Sequence, residues 1–304
     1  MRLLDGIQSA LNPQGPDAAL IAEISWVLFA GAAVIFTAVM ALAAWAVFGG
    51  RERTARLSPR LLIVGGGMVF PAVTLFALLV YSLARAGSLH PVEENALRIE
   101  VVGEQWWWRV HYLHADGRVD FATANEIRVP VGRPVELLLK SADVIHSFWV
   151  PVLAGKLDMI PGRTNRLRLR AARPGEFRGQ CAEYCGGPHA LMALVVVAEQ
   201  IGQFDQWANS QRQPATRSND LFVASCGTCH TVRGTQAAGV LGPDLTHVGS
   251  RLTIGAGLLP TNAGALAGWI ASNQHLKPGN LMPAFEHFIG EDLRALADYL
   301  ESLK

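Results

Sequence analysis

The sequence predicts a multidomain membrane protein in three parts: a two-helix transmembrane hairpin, an all-β sandwich and a small all-α domain. Three observations carry this. Residues 24–50 and 61–84 contain no charged side chain. From Leu97 onward the chain breaks into short β-rich runs separated by Gly and Pro turns. After a polar stretch near residue 210, apolar residues recur at helical spacing. At 304 residues, half hydrophobic and only 17% charged, the chain has the length for several domains and the composition for membrane segments. A formal net charge of +1 argues against a general nucleic-acid binder.

Taken in order, residues 1–19 are polar and carry Pro13 and Pro16, and 1–23 read as an external segment. They lack the basic head, short apolar run and cleavage site of a signal peptide, and no Cys there could carry a lipid. The runs 24–50 and 61–84 each exceed the roughly 20 residues a helix needs to cross the hydrocarbon layer. Pro71 should kink the second run, which a packed membrane helix tolerates. The intervening RERTARLSPR carries Arg51, Arg53, Arg56 and Arg60, which marks it as cytoplasmic. The N-terminus and everything after Ala84 then lie on the outer, periplasmic face of a bacterial plasma (inner) membrane. Neither span carries an ionisable group, so the hairpin reads as an anchor and packing surface in the lipid bilayer rather than a proton path.

Residues 85–208 read as the β domain. Strands are expected at 97–102, 106–112, 126–129, 134–140, 165–171 and 194–197, with turns at Asp116-Gly117, Val131-Gly132, Pro161-Gly162 and Pro174-Gly175. Short strands with regular turns predict an antiparallel sandwich or barrel. In a strand over 106–112, Trp106 and Trp108 would face one side and Trp107 the other.

Near the end of this domain stands GQCAEYCGGPHALM, which places Cys181, Cys185, His189 and Met192 at C-x3-C-x3-H-x2-M spacing. Thiolates, imidazole and thioether are soft donors that favour copper over hard cations. A mononuclear blue-copper site uses one Cys. Two adjacent thiolates can bridge two metal ions, with a remote ligand left for each end. One more His is then required, and His146 in VIHSFWVP supplies it. A plain disulfide would leave His189 and Met192 without a reason for their offsets. A thioredoxin-like copper-delivery site would carry its His far from the Cys pair.

Residues 209–218 are polar, include Pro214 and read as a linker to a final domain at 219–304. There Cys226, Cys229 and His230 form CGTCH, the signature for covalent haem c attachment with His230 as proximal ligand. Met282 is the expected sixth ligand, with His247, His275 and His287 as alternatives; a Met ligand gives the higher potential. Helices are expected at 219–225, 264–272 and 291–302, with Leu293, Leu296, Ala297 and Leu300 forming a core stripe.

At these motifs the chain resembles subunit II of haem–copper cytochrome c oxidases of the caa type: a membrane hairpin, a cupredoxin domain with a binuclear CuA centre, and a fused class I cytochrome c domain. The resemblance implies that Cys181 and Cys185 bridge two copper ions. His146 and Met192 would complete one copper, and His189 with the Glu183 carbonyl the other. The Glu183 side chain would help hold a magnesium ion at the junction with subunit I. The family's GHQWYW stretch stands here as GEQWWW, departing at Glu104 and Trp107, and implies that electrons enter at Trp106. Residues 156–163 (KLDMIPGR) match a stretch near subunit I, and Gly242-Pro243-Asp244-Leu245 matches a turn against the haem. The family often has a carboxylate about two turns before the proline of the second span, and residues 61–70 have none.

The implied function is electron relay from an external cytochrome c or a cytochrome bc complex, through haem c and CuA, to subunit I. There oxygen is reduced and protons are pumped; subunit III is a further implied partner. A CuA-type nitric oxide reductase subunit and a copper-trafficking or assembly protein are the alternatives. The short polar linker predicts a haem domain held near the copper by its tether more than by a tight interface.

Overall fold

The computed structural model describes residues 8–49, 58–86 and 95–304. Arg51, Arg53 and Arg56, which carry the orientation argument, lie outside the described residues. The chain divides into a unit of Ala19–Pro91 and a second unit formed by the rest.

The first unit is the membrane hairpin. Helix α1 spans Pro16–Phe48, so it starts well before the expected position 24 and takes up part of the segment read as external. Pro16 occupies the first helical position, where its fixed φ suits the helix and its missing N–H costs nothing. The second span opens with a π-helical stretch, Leu61–Val69, and continues as α2, Phe70–Ala86. At the junction the Phe70 N–H returns to the Gly65 carbonyl, five residues back. The expected break is therefore a wider turn that ends just before Pro71, which has no N–H to keep an α register. Both helices are long and apolar enough to cross a membrane, with mean hydropathy of 2.4 and 2.2, and neither apolar stretch is buried in protein. Glu23 of α1 pairs with Arg85 of α2 and accepts a 3.3 Å hydrogen bond from Tyr81.

In the second unit ten strands form two five-stranded sheets. One has the order β3 (Val119–Ala124), β2 (Trp107–Leu113), β1 (Leu97–Glu104), β5 (Val135–Ser141), β8 (Asn165–Leu169). The other has the order β4 (Glu126–Pro130), β10 (Ala193–Glu199), β9 (Gly175–Cys181), β6 (His146–Trp149), β7 (Leu157–Met159). The sheets are mixed rather than purely antiparallel, because β1 pairs with β5 and β4 with β10 in parallel. Between β3 and β4 the chain crosses from one sheet to the other through a single residue, Asn125, whose φ of 60° Asn tolerates better than most residues. Its side-chain oxygen accepts the Trp108 N–H at 2.9 Å. Alternation then fills the core: Ile99 and Val101 from β1 and Trp108, Val110 and Tyr112 from β2 are all buried.

The N-terminal residues are laid onto this sandwich. The Gln14 N–H donates to Val152 O at 2.6 Å, the Ala172 N–H donates to Gln14 O at 2.8 Å, and Asp17 pairs with Arg168. Helix α3, Ile201–Arg212, packs Phe204 and Trp207 against Tyr112 and Phe121. It consumes the first residues of the expected 209–218 linker. What remains is not a free tether. Ala215 donates to Arg233 O at 2.8 Å, Tyr299 donates to Arg217 O at 3.3 Å, and His247 Nε2 lies 3.0 Å from Gln213 O.

The last domain is helical. α4 (Asp220–Cys226) is capped by Asn219, and α5 (Ala263–Leu276) by Asn262. α5 departs from helical geometry at Ser272 (φ −139°), where its end was expected, then adds a final turn. α6 (Gly290–Ser302) buries Leu296, Ala297 and Leu300 at the positions of the expected stripe.

Candidate metal centre

The two strands that carry the first ligands are neighbours. His146 opens β6, Cys181 ends β9, and Phe148 faces Cys181 across the pair. Gly103 of β1 lies under the imidazole: a Cβ there would sit 2.8 Å from His146 Cδ2, so only glycine leaves the ring its seat. After Cys181 the chain loops through Cys185 and a 3-10 turn, His189–Leu191, to Met192. The loop is closed at its base, where the Cys181 N–H donates to Met192 O at 2.9 Å.

The side chains converge. Cys181 Sγ and Cys185 Sγ are 3.7 Å apart. His146 Nδ1 lies 3.9 Å from Cys181 Sγ, and the Glu183 carbonyl 3.2 Å from the same sulphur. His189 Nδ1 is 3.4 Å and Met192 Sδ 3.9 Å from Cys185 Sγ. His146 and Met192 are fully buried and both cysteines nearly so. The Glu183 side chain is exposed, and the cluster of three metal-binding side chains found among the described residues is His146, Cys181 and Cys185.

The electrostatics favour a cation. The contact with Cys185, aided by His146, lowers the Cys181 thiol well below its usual range, while the same contact and burial push Cys185 up. The pair thus keeps one proton between two sulphurs, a role that soft metal ions take over by bridging thiolates. Burial lowers the His146 pKa, but Cys181 and Asp143 more than offset it and leave it raised. These residues fit copper.

Asp143 is a member of the site that the sequence did not reveal. Its Oδ1 lies 2.7 Å from His146 Nε2 and accepts the Val144 N–H at 2.6 Å; its Oδ2 accepts the Gln105 N–H at 2.6 Å. It fixes the imidazole so that Nδ1 faces the sulphurs, as carboxylates behind metal-bound histidines do. Its signal was a carboxylate three residues before the candidate ligand His146. Asp143→Asn is expected to weaken copper binding about 10- to 100-fold, read by chelator competition.

Trp106 does not share a face with Trp108. It lies in the turn between β1 and β2, and its indole N–H donates to Cys185 O at 2.9 Å; Gln105 Nε2 donates to the same carbonyl at 2.7 Å. Trp108 fills the core and Trp107 stacks under the Arg109 guanidinium, 4.7 Å from the ring centre. The haem domain reaches the same turn. Lys277, only 3% exposed, donates from Nζ to Trp106 O at 2.6 Å, Leu191 O at 2.9 Å and Gly255 O at 3.2 Å. Burial brings its pKa down to about 7 against the pull of Cys185. Beside it, Ala193 donates to Ala256 O at 3.0 Å, and Leu252 donates to Glu126 at 2.7 Å. The domains are docked, which corrects the expectation of a tether without a close interface.

In the haem domain, Cys226 ends α4, and Cys229 and His230 follow in the next turn. Burial pushes the Cys226 thiol up to about 11 and lowers the His230 pKa. A neutral imidazole with Nδ1 2.9 Å from Pro243 O has its proton there and leaves Nε2 free as an iron donor. Met282 sits half-buried on a loop held by α5: Gln274 donates to Met282 O at 2.7 Å, and Asn273 donates to Pro283 O at 2.9 Å. His247 is engaged with the linker, and His287 packs on Phe285 and Phe288. These residues fit a covalently held haem.

The sequence matches known proteins along most of its length. Residues 114–199 match the family "Cytochrome C oxidase subunit II, periplasmic domain" and residues 215–304 match "Cytochrome c". The chain is 34% identical over 322 residues to cytochrome c oxidase subunit 2 of Alkalihalophilus pseudofirmus, covering 97% of this chain and 91% of that one. It is 30% identical to the subunit 2 of Bacillus sp. (strain PS3), covering 78% and 72%. The crystal structure of the periplasmic domain of subunit II of cytochrome oxidase of Bradyrhizobium japonicum is 31% identical with a TM-score of 0.37, covering 40% of this chain and 97% of that one. With its two apolar helices, its β-sandwich and its fused cytochrome c domain, the chain belongs to the cytochrome c oxidase subunit II family.

Proposed function

We propose that the chain takes electrons from an external cytochrome c or a cytochrome bc complex at its C-terminal domain. It passes them through the sandwich domain to subunit I, where oxygen is reduced and protons are pumped; subunit III is a further partner. When bound, haem c and the copper pair supply reversible one-electron chemistry. The protein's own part is to hold and insulate. Cys181, Cys185, His146, Met192, His189 and the Glu183 carbonyl would hold the coppers. Cys226 and Cys229 would attach the haem, and His230 and Met282 would hold its iron. The observation that carries the reading is the convergence of these soft donors beneath Trp106, which is itself held from the haem domain. Both redox domains would lie on the outer face of the bacterial inner membrane. A magnesium ion at Glu183 gains no support from its exposed carboxylate.

The test is turnover of the purified complex. It is expected to consume oxygen with a reduced c-type cytochrome as donor and to be inert toward nitric oxide as substrate. Consumption of nitric oxide in place of oxygen would overturn the acceptor assignment. Trp106→Ala is expected to slow copper reduction about tenfold or more through lost positioning, with copper content unchanged. An unaltered rate would make Trp106 a packing residue.

A further inference from the structure

We infer that Lys277 is a positioning residue that clamps the cytochrome c domain onto the copper-binding loop and onto Trp106. The inference rests on the relay reading for its purpose and on geometry for its substance. Its ammonium is buried, and its three bonds go to backbone carbonyls of three chain segments: Gly255 in its own domain, and Trp106 and Leu191 in the other. A buried ammonium is costly unless its donors are satisfied, and here all three are. Two of the three acceptors exist only when the domains are docked. Removing Lys277 would leave these carbonyls without its donors in the docked state, whereas undocking lets water supply them, so its loss favours undocking.

The contacts flank the thioether ligand. Leu191, just before Met192, accepts from Lys277, and Ala193, just after it, donates to Ala256 O. The same ammonium holds the Trp106 carbonyl while the Trp106 indole holds the Cys185 carbonyl. Gly279, two residues from Lys277, approaches the far edge of the indole: a Cβ there would lie 4.0 Å from Cζ2's neighbour Cη2. One side chain thus fixes the haem-side loop against both the tryptophan and the turn that leads to Met192. A polar linker alone would fix neither.

The test uses the full chain with copper and haem bound, as wild type and as Lys277→Met, which keeps length and apolar bulk while removing the three donors. Amide hydrogen exchange is read at Ala193 and Leu252, whose N–H groups cross the interface without touching Lys277. Val232 and Gly242, bonded within the haem domain, are controls. The variant is expected to exchange the two interface amides about tenfold faster, the factor that loss of a charged hydrogen bond supplies, with the controls and both metal spectra unchanged. Haem-to-copper electron transfer should slow by a similar factor. Unchanged interface exchange overturns the clamp, as does an equal rise at the controls, which would make Lys277 an internal brace. Loosened interface amides with an unchanged transfer rate would refute its role in positioning the relay. If the wild-type chain shows no haem-to-copper transfer, the relay reading fails, and the exchange data alone decide the clamp.

Discussion

Cys185→Ser is expected to abolish the spectrum of a copper pair sharing one electron and to leave at most one copper on the holo-chain. Cys185 stands at the centre of the donor set, with Cys181 at 3.7 Å, His189 at 3.4 Å and Met192 at 3.9 Å from its sulphur. A serine hydroxyl is a hard donor that stays protonated near neutral pH and does not bridge soft metal ions. The remaining Cys181, His146, His189 and Met192 are the ligand types of a mononuclear site. Metal analysis and electron paramagnetic resonance read the outcome. Retention of both coppers with a shared-electron signal would contradict the bridging role. Unfolding is not expected to confuse the result, because the exchange is nearly isosteric and the strands flanking the loop stay paired.

Gly242→Val is expected to have the second largest effect, and to separate haem attachment from haem ligation. A Cβ at Gly242 would stand 2.5 Å from His230 Cε1 and 2.8 Å from Nδ1, so the ring must move and give up its contact with Pro243 O. Overpacking of this kind costs about 1–3 kcal/mol. That is enough to shift the balance of bound and unbound His230 by roughly 5- to 150-fold. The atoms nearest the added Cβ all belong to the His230 ring rather than to the Cys226 or Cys229 thiols, so the covalent thioether links should still form. The expected result is haem that stays with the chain on a denaturing gel but loses its low-spin spectrum. A wild-type spectrum would mean that His230 is held by something other than this turn.

The candidate donors of both sites were legible because soft side chains at short, fixed offsets stand out in a sequence. Cys181, Cys185, His189 and Met192 fall on one loop, and Cys226, Cys229 and His230 on another. Their second layer was not legible. Asp143 and Gln105 act through contacts made only when β1, β6 and the copper loop come together, and Lys277 binds backbone carbonyls, which leave no side-chain signature. The tryptophan run misled for a local reason. Strand alternation counted from position 106 pairs Trp106 with Trp108, but β2 begins at Trp107, so the turn frees Trp106 to reach Cys185. The linker misled for another. Polar composition reports solubility, and Arg233, His247 and Tyr299 take up its carbonyls from far along the chain. Short strands such as β6 and β7 were missed because three or four residues are too few to show a period.

The most direct test of the relay is stopped-flow mixing of a reduced donor with the oxidised full chain, following the haem and copper absorbances together. The account predicts that the haem is reduced first and that copper reduction keeps pace with haem reoxidation. Removal of residues 214–304 should leave copper reducible by a small artificial reductant but not, at low concentration, by the protein donor. Copper reduction that precedes the haem, at a rate indifferent to loss of the haem domain, would contradict it.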